Sequence, residues 1–483
     1  MYFWFKREND LLISSWFTSS EESSPPERKE KKHEKQKQVD KDSFSSLQES
    51  FFEQMHAFLD ILPHSTAIVP HFEGALLEIL EKKTIAKIST GEPKDDNWTR
   101  YKIPPSEARR IVKEYRKSTR AGKALDVFPS LALLGLVSQF DAFMGRLLRL
   151  CLEHKPHIIQ RSQKSFPANE VFQYTDVESF KAAVVDKEVE DFLRKSHADQ
   201  FDWLQENFGV KTRDGLESWP DFIEACERRN LFAHSNGVVS QQYLIKCGTA
   251  GHTPKVRKGD SLHVTPKYLK HVTEVFLELG IKIAQVLSRS IMKSDDYESE
   301  ADERLNQTAY SLIEHQHYDL ARKLLDFGCS ILKKHPNTTV LNMMIINRAN
   351  CFKLMGDKQE AEKILGEVDW SPYDPMFRIS VAAILEDVDE VLQHMPRLTG
   401  HAFINADAYR SWPVFETVRQ DERVQAQFFE IYGQDLLSAV PSSEEADEEN
   451  GANAEHVKDG EEDHEAAGDT EGRSTEGQGD TVH

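Results

Sequence analysis

Arg229-Asn230-Leu231-Phe232-Ala233-His234, followed at once by Ser235-Asn236-Gly237, is the stretch on which the reading of this 483-residue chain turns. It sets a permanent cation, an amide and an imidazole within about one and a half turns of helix. The residues before it, Trp219 to Glu227, have the pattern of an amphipathic helix, so a motif helix is predicted over Asp221 to about Ser235. Four residues apart, Asn230 and His234 share a face of that helix, and Glu227 joins them. Arg229, five before His234, points about 140° away. A single helix therefore does not focus Arg229 and His234 on one phosphate, whereas a second copy across a twofold interface can supply the missing group.

Outward from this motif the signals are helical nearly everywhere, and an all-α fold is expected. Residues 1–46 form a charged N-terminal segment rich in Ser, Glu and Lys from Thr18 on. It buries too little apolar surface to offset chain entropy and is expected to be disordered. Residues 47–124 hold N-terminal helices. Phe51, Phe52, Met55, Phe58, Leu59 and Leu62 recur at three- and four-residue steps, with Pro63 ending the first helix. His71 to Ile88 gives a second, and Ser106 is expected to cap a third that breaks at Gly122 and Pro129.

Residues 125–292 read as a bundle. One long apolar helix, Ser130 to His154, presents Leu131, Leu134, Val137, Phe140, Met144, Leu147 and Leu148 on one side, with Asp141 among them. A capped start at Phe172 to Phe180, a helix over Val184 to Phe208, the motif helix, a loop over Cys247 to Pro266 and a closing helix from Tyr268 to Met292 complete it. Residues 298–437 change to a repeat in which Ala309 aligns with Ala349 and Ala321 with Ala361, a period near 40. Residues 438–483 form an acidic tail expected to be disordered.

The loose pattern of Arg, four to six residues, then His occurs at Arg28/His33, Arg149/His154, Arg257/His263 and Arg229/His234. Only in the last does Asn follow Arg directly on a predicted helix. Arg-Asn, three residues, His is the mark of the HEPN superfamily (higher eukaryotes and prokaryotes nucleotide-binding), which Trp219 to Leu244 resembles, including the Gly237 and Tyr243-Leu244 that follow the His. The helix Leu136 to Phe143 is similar to the family's first bundle helix, and Asp141 matches its acidic position. The resemblance covers about Leu125 to Met292. It implies a HEPN-like helical bundle, a homodimer with paired motifs at its cleft, and a site made of Arg229, Asn230, His234 and Asp141. The repeats resemble tetratricopeptide (TPR) repeats, whose usual period is 34, and imply a protein partner on a helical platform.

Group chemistry says what such a site can do. RNA carries its own nucleophile, the ribose 2′-hydroxyl. His234 carries an imidazole, a group suited to proton transfer. Arg229 stays charged and offers a fork of donors to phosphate oxygens. Asn230 orients His234 or binds the sugar, and Asp141 fixes Arg229. A metal-independent endoribonuclease is the expected function, by analogy a toxin or defence effector. The plainer reading makes Arg229 an ordinary partner of Asp141 or Glu227 and His234 a surface group at a helix end. The protein is then a non-enzymatic interaction scaffold whose bundle binds RNA or nucleotide without turnover, or only dimerises.

Composition bounds the alternatives. The net charge is −21, but Ser442 to His483 holds 15 acidic and 2 basic residues and so carries 2 − 15 = −13, leaving −8 on the rest. A mildly acidic body does not suit broad duplex-DNA binding. Five widely spaced cysteines without a CxxC read as reduced thiols of a cytoplasmic protein. No apolar run is read as a membrane span, and the aromatic start Met1 to Ile13 lacks the order of a signal peptide, so its initiator is open to question. No metal and no cofactor is expected. Magnesium-type carboxylate clusters, Gly-rich phosphate loops and G-x-S-x-G are all missing from the sequence, and Cys247, His252 and His263 lack ligand spacing. His315 and His317 read as solvated residues flanking a repeat turn, and His56, His64 and His71 as structural or exposed.

Overall fold

The structure, a computed structural model, describes residues 2–8, 11–18, 43–88, 91–93, 99–160, 166–213 and 216–438. The acidic tail and most of the segment before α1 (Phe44–Ile79) lie outside the described residues. Helices dominate. The departures from all-α are two antiparallel hairpins, β1 (Tyr2–Glu8) with β2 (Leu11–Thr18) and β3 (Gly91–Pro93) with β4 (Thr99–Tyr101). The first falls in the stretch expected to be disordered, where Phe3, Trp4, Phe5, Ile13, Trp16 and Phe17 are strand-forming types.

α1 runs straight through Pro63 and Pro70, so Pro63 does not end it. α2 (Pro105–His154) likewise continues through Gly122 and Pro129, with Pro105 in its first turn and no side-chain cap from Ser106. An interior proline costs about 3 kcal/mol. Beyond Pro129 that loss is offset by the buried run Leu133, Leu136, Val137, Phe140, Phe143, Met144, Leu147 and Leu148, while Leu131, expected inside, is exposed. This same segment, Val127–His154, is long and apolar enough by composition to cross a membrane, contrary to the sequence reading. Here its apolar face is the wall of a helical core.

After two short turns, α3 (His157–Gln160) and α4 (Ala168–Val171), come α5 (Val177–Leu193) and α6 (His197–Phe208). They are two helices where one was expected. Ser196 accepts from Asp199 N and starts α6 afresh, and Asp176 and Ser179 close a capping box on α5. The motif helix is α7 (Trp219–Ser235). A helix not foreseen, α8 (Gln241–Thr249), follows, capped by Ser240. The loop after it bridges Val238 to Ser261. α9 (Pro266–Met292) starts at the Thr265 cap and is buried almost all round. α1, α2, α7 and α9 pack together, with α5 against α2. Phe51 of α1 stacks on Phe143 of α2 and lies against α9 at Gly280, where a Cβ would meet the Phe51 ring at 2.2 Å.

The repeats form helical hairpins: α10 (Asp295–Glu314) with α11 (Tyr318–Asp326), α12 (Thr338–Leu354) with α13 (Lys358–Gly366), and α14 (Pro375–Leu385) with α15 (Val388–His394). α16 (Ala406–Ser411) and α17 (Glu422–Tyr432) follow. Two helices replace the single one expected from Pro375 to His394, because Glu386 turns left-handed at the end of α14. Ala309, Ala349, Ala321 and Ala361 are all buried between paired helices. A π-helical turn at Phe327–Ile331 lengthens the first unit.

The bundle and the first hairpin share one core, which passes without a gap from Phe276 and Ile283 to Leu305, Leu312 and Leu324. Buried Asp302 fastens the seam, accepting from Arg289 at 2.7 Å and lying 3.0 Å from His335. The distal hairpins have their own core around Phe377, Ile379, Tyr409 and Phe428.

Candidate functional site

Pro220 in the first turn starts α7, and Asn236, left-handed at φ +48°, ends it. Gly237, at φ +79°, turns the chain away. A Cβ there would sit 2.9 Å from Phe232 and 3.0 Å from the Leu262 carbonyl, so only glycine fits.

The inner face of α7 is organised by Glu224, which is 2% exposed. Tyr243 of α8 donates to one of its oxygens at 2.6 Å and Tyr268 of α9 to the other at 2.7 Å. Arg228 donates to Glu224 at 2.7 Å and to the His263 carbonyl at 3.0 Å, and lies over the Tyr268 ring. Burial first, then the Glu224 charge, pushes both phenols far above their usual range. Glu227 pairs with Lys246 at 2.8 Å. It therefore serves the α7–α8 contact and does not assist His234.

Arg229 faces the other way, toward α2, and donates to Asp141 Oδ2 at 3.2 Å. The opposite oxygen, Oδ1, lies 2.9 Å from His197 Nε2, a residue for which the sequence offers no signal. His197 stands at the start of α6, 56 residues from Asp141, with its ring edge-on to Phe222. One half-buried carboxylate thus holds a guanidinium and an imidazole together. The Arg229 Nε is buried with no partner among the described residues. Cys226 lies one turn before Asn230 and is sealed in. Burial first, then Asp141, raises its thiol well above the ordinary value, which rules it out as a ready nucleophile.

His234 and Asn230 do not join this cluster. His234 is exposed and Asn230 half-buried on the last turns of α7. Of the four residues expected at the site, the structure brings together Asp141 and Arg229, adds His197, and leaves Asn230 and His234 on the adjoining surface. The divergence of Arg229 from His234 follows the helical geometry.

No family model, no curated protein and no solved structure matches this chain.

Proposed function

We propose that the protein is a metal-independent endoribonuclease of HEPN type acting as a homodimer. The observation that carries this reading is the Asp141 carboxylate, which holds Arg229 in a half-buried setting while His234, on the same helix, stays solvent-facing and uncommitted. A guanidinium so fixed is ready to meet a phosphate without being reordered, and an exposed imidazole can exchange protons. Asp141 and His197 are positioning residues.

In the proposed step the ribose 2′-hydroxyl attacks phosphorus and gives its proton to one imidazole. The P–O2′ bond forms, the P–O5′ bond breaks, and the leaving oxygen is protonated by the His234 of the second copy. Arg229 neutralises the charge that builds on the phosphoryl oxygens. The products are a 2′,3′-cyclic phosphate and a 5′-hydroxyl. An exposed basic face on α2 supports a polyanionic substrate. Between Pro105 and Lys123 there are seven basic and two acidic residues, 7 − 2 = +5, on a chain of net −21. Arg109, Lys113, Arg116 and Arg120 fall on one helical face.

The test is incubation of single-stranded RNA with the purified chain in a chelator. Wild type is expected to leave cyclic-phosphate ends, and His234→Ala and Arg229→Ala to slow cleavage by about 10²–10⁴. Cleavage by His234→Ala at the wild-type rate sinks the proposal. One observation favours a second reading, an interaction scaffold with a protein partner on the TPR-like repeats. A cavity of about 340 Å³ lies among Asn306, Tyr310, Asn347, Phe377 and Trp412, and the buried Asn350 side-chain oxygen on its wall has no partner among the described residues. No cleavage by wild type, with peptide capture by this groove, would favour that reading.

A further inference from the structure

The turn joining α10 to α11 carries His315 and His317 on either side of Gln316, whose φ is +63°. Forty residues on, the second hairpin has Gly356 at the matching left-handed position, φ +91°, flanked by Met355 and Asp357. The first turn therefore holds a non-glycine residue in a backbone region that favours glycine, and it alone of the two is flanked by imidazoles.

Both imidazoles meet α1. His56, 8% exposed, has its ring 4.4 Å from that of His315 and 5.9 Å from that of His317. Asp60 follows His56 by one turn on the same face of α1, a spacing at which two side chains reach one ion. Ligand atoms of His56, Asp60 and His317 all lie within 4.8 Å of one another.

The hydrogen bonds leave the required nitrogens open. The Nδ1 of His317 is 3.3 Å from Glu274 Oε1, and that of His315 is 2.8 Å from the Ser311 carbonyl. Each bond orients its ring with Nε2 available, as carboxylates and carbonyls do behind metal-bound histidines. His56 Nε2 is buried and has no partner among the described residues, a state that costs stability unless something binds it.

The geometry points to a divalent transition-metal site, of zinc type, made by His56, Asp60 and His317, with the His315 ring beside that of His56, and tying α1 to the first repeat hairpin. Two imidazole nitrogens and one carboxylate suit a borderline divalent cation. Tetrahedral ligands at about 2.0–2.1 Å stand roughly 3.3 Å apart, against the 4.8 Å within which the three ligand atoms lie here. With two ligands from α1 and one from the turn between α10 and α11, the ion acts as a staple between bundle and repeats.

This inference is independent of the RNA reading, and its test uses no RNA. The untagged full chain, stripped with chelator, is titrated with zinc by calorimetry, and with cobalt to read the visible bands of a tetrahedral ion. One ion per chain is expected, with a thermal midpoint raised by roughly 5 °C at a hundredfold excess over Kd. Asp60→Asn, on the surface, and His317→Gln are each expected to weaken binding at least about tenfold while circular dichroism stays unchanged. Absence of stoichiometric binding by the wild type, or equal binding by the Asp60→Asn/His317→Gln double variant, overturns the proposal.

Discussion

The two faces of α7 carry polar groups of opposite character. On the inner face the buried Glu224 receives two phenols and a guanidinium. On the outer face Arg229 meets the Asp141 carboxylate, its Nε lacks a partner among the described residues, and His234 meets solvent. A saturated network fixes how helices cross, because every group lost leaves another unpaired in low dielectric. An unsaturated one keeps valences for a ligand. Charge alone does not reveal function: both faces hold an arginine and an acid, and they differ in how many partners each group has left to find.

That contrast can be broken by mutation. Glu224→Ala strands Tyr243, Tyr268 and Arg228 and is expected to cost about 3–5 kcal/mol in urea unfolding. A loss under about 1 kcal/mol would show that the inner network is not structural. The next effect is one of pH, at the foot of the same helix. Asp221 lies 2.8 Å from His271 and 3.2 Å from His252. The hydrogen bond from His271 is the main cause that lowers the Asp221 carboxyl, and the same bond raises His271. With a raised folded value, His271 contributes fully below its unfolded value of about 6.5, and loses that contribution as pH rises through the folded one. Asp221 contributes above about pH 4 and loses its share as pH falls. The melting difference between wild type and Asp221→Asn should therefore be larger at pH 5.5 than at pH 9. An equal difference at both would remove the ion pair from the account.

The smallest expected change in stability is that of His234→Ala, within about 0.5 kcal/mol, by the same unfolding assay. Paired with a large loss of RNA cleavage, it would sharpen the contrast between a face that builds the fold and one that does the work. A destabilisation of 2 kcal/mol or so would place His234 with the inner face instead.

Much of the helical architecture was legible in residue spacing. The capped start expected within Phe172 to Phe180 falls at Asp176, whose side chain caps its own backbone, and the alanines at a period near 40 mark where paired helices touch. Pro63 and Pro129 misled for a physical reason. Proline removes one hydrogen bond, and packing on either side decides whether the helix stops. Of the candidate site, Arg229 with Asp141 was legible through family resemblance, and the turning of Arg229 away from His234 through helical angle. His197 was not, since nothing near it in the chain distinguishes it from any histidine at a helix start. The histidines at 56, 315 and 317 read as unrelated because their relation exists only across the seam between bundle and repeats.

The sequence by itself determined the helical periodicity, the caps, the repeat and the motif on α7, all of which rest on interactions within a few residues. Only the tertiary structure decided that Asp141 is shared by Arg229 and His197, that Glu224 is saturated, and that α1 meets the first repeat turn through imidazoles. Those pairings span tens to hundreds of residues, and they depend on how whole helices pack, which no local pattern encodes.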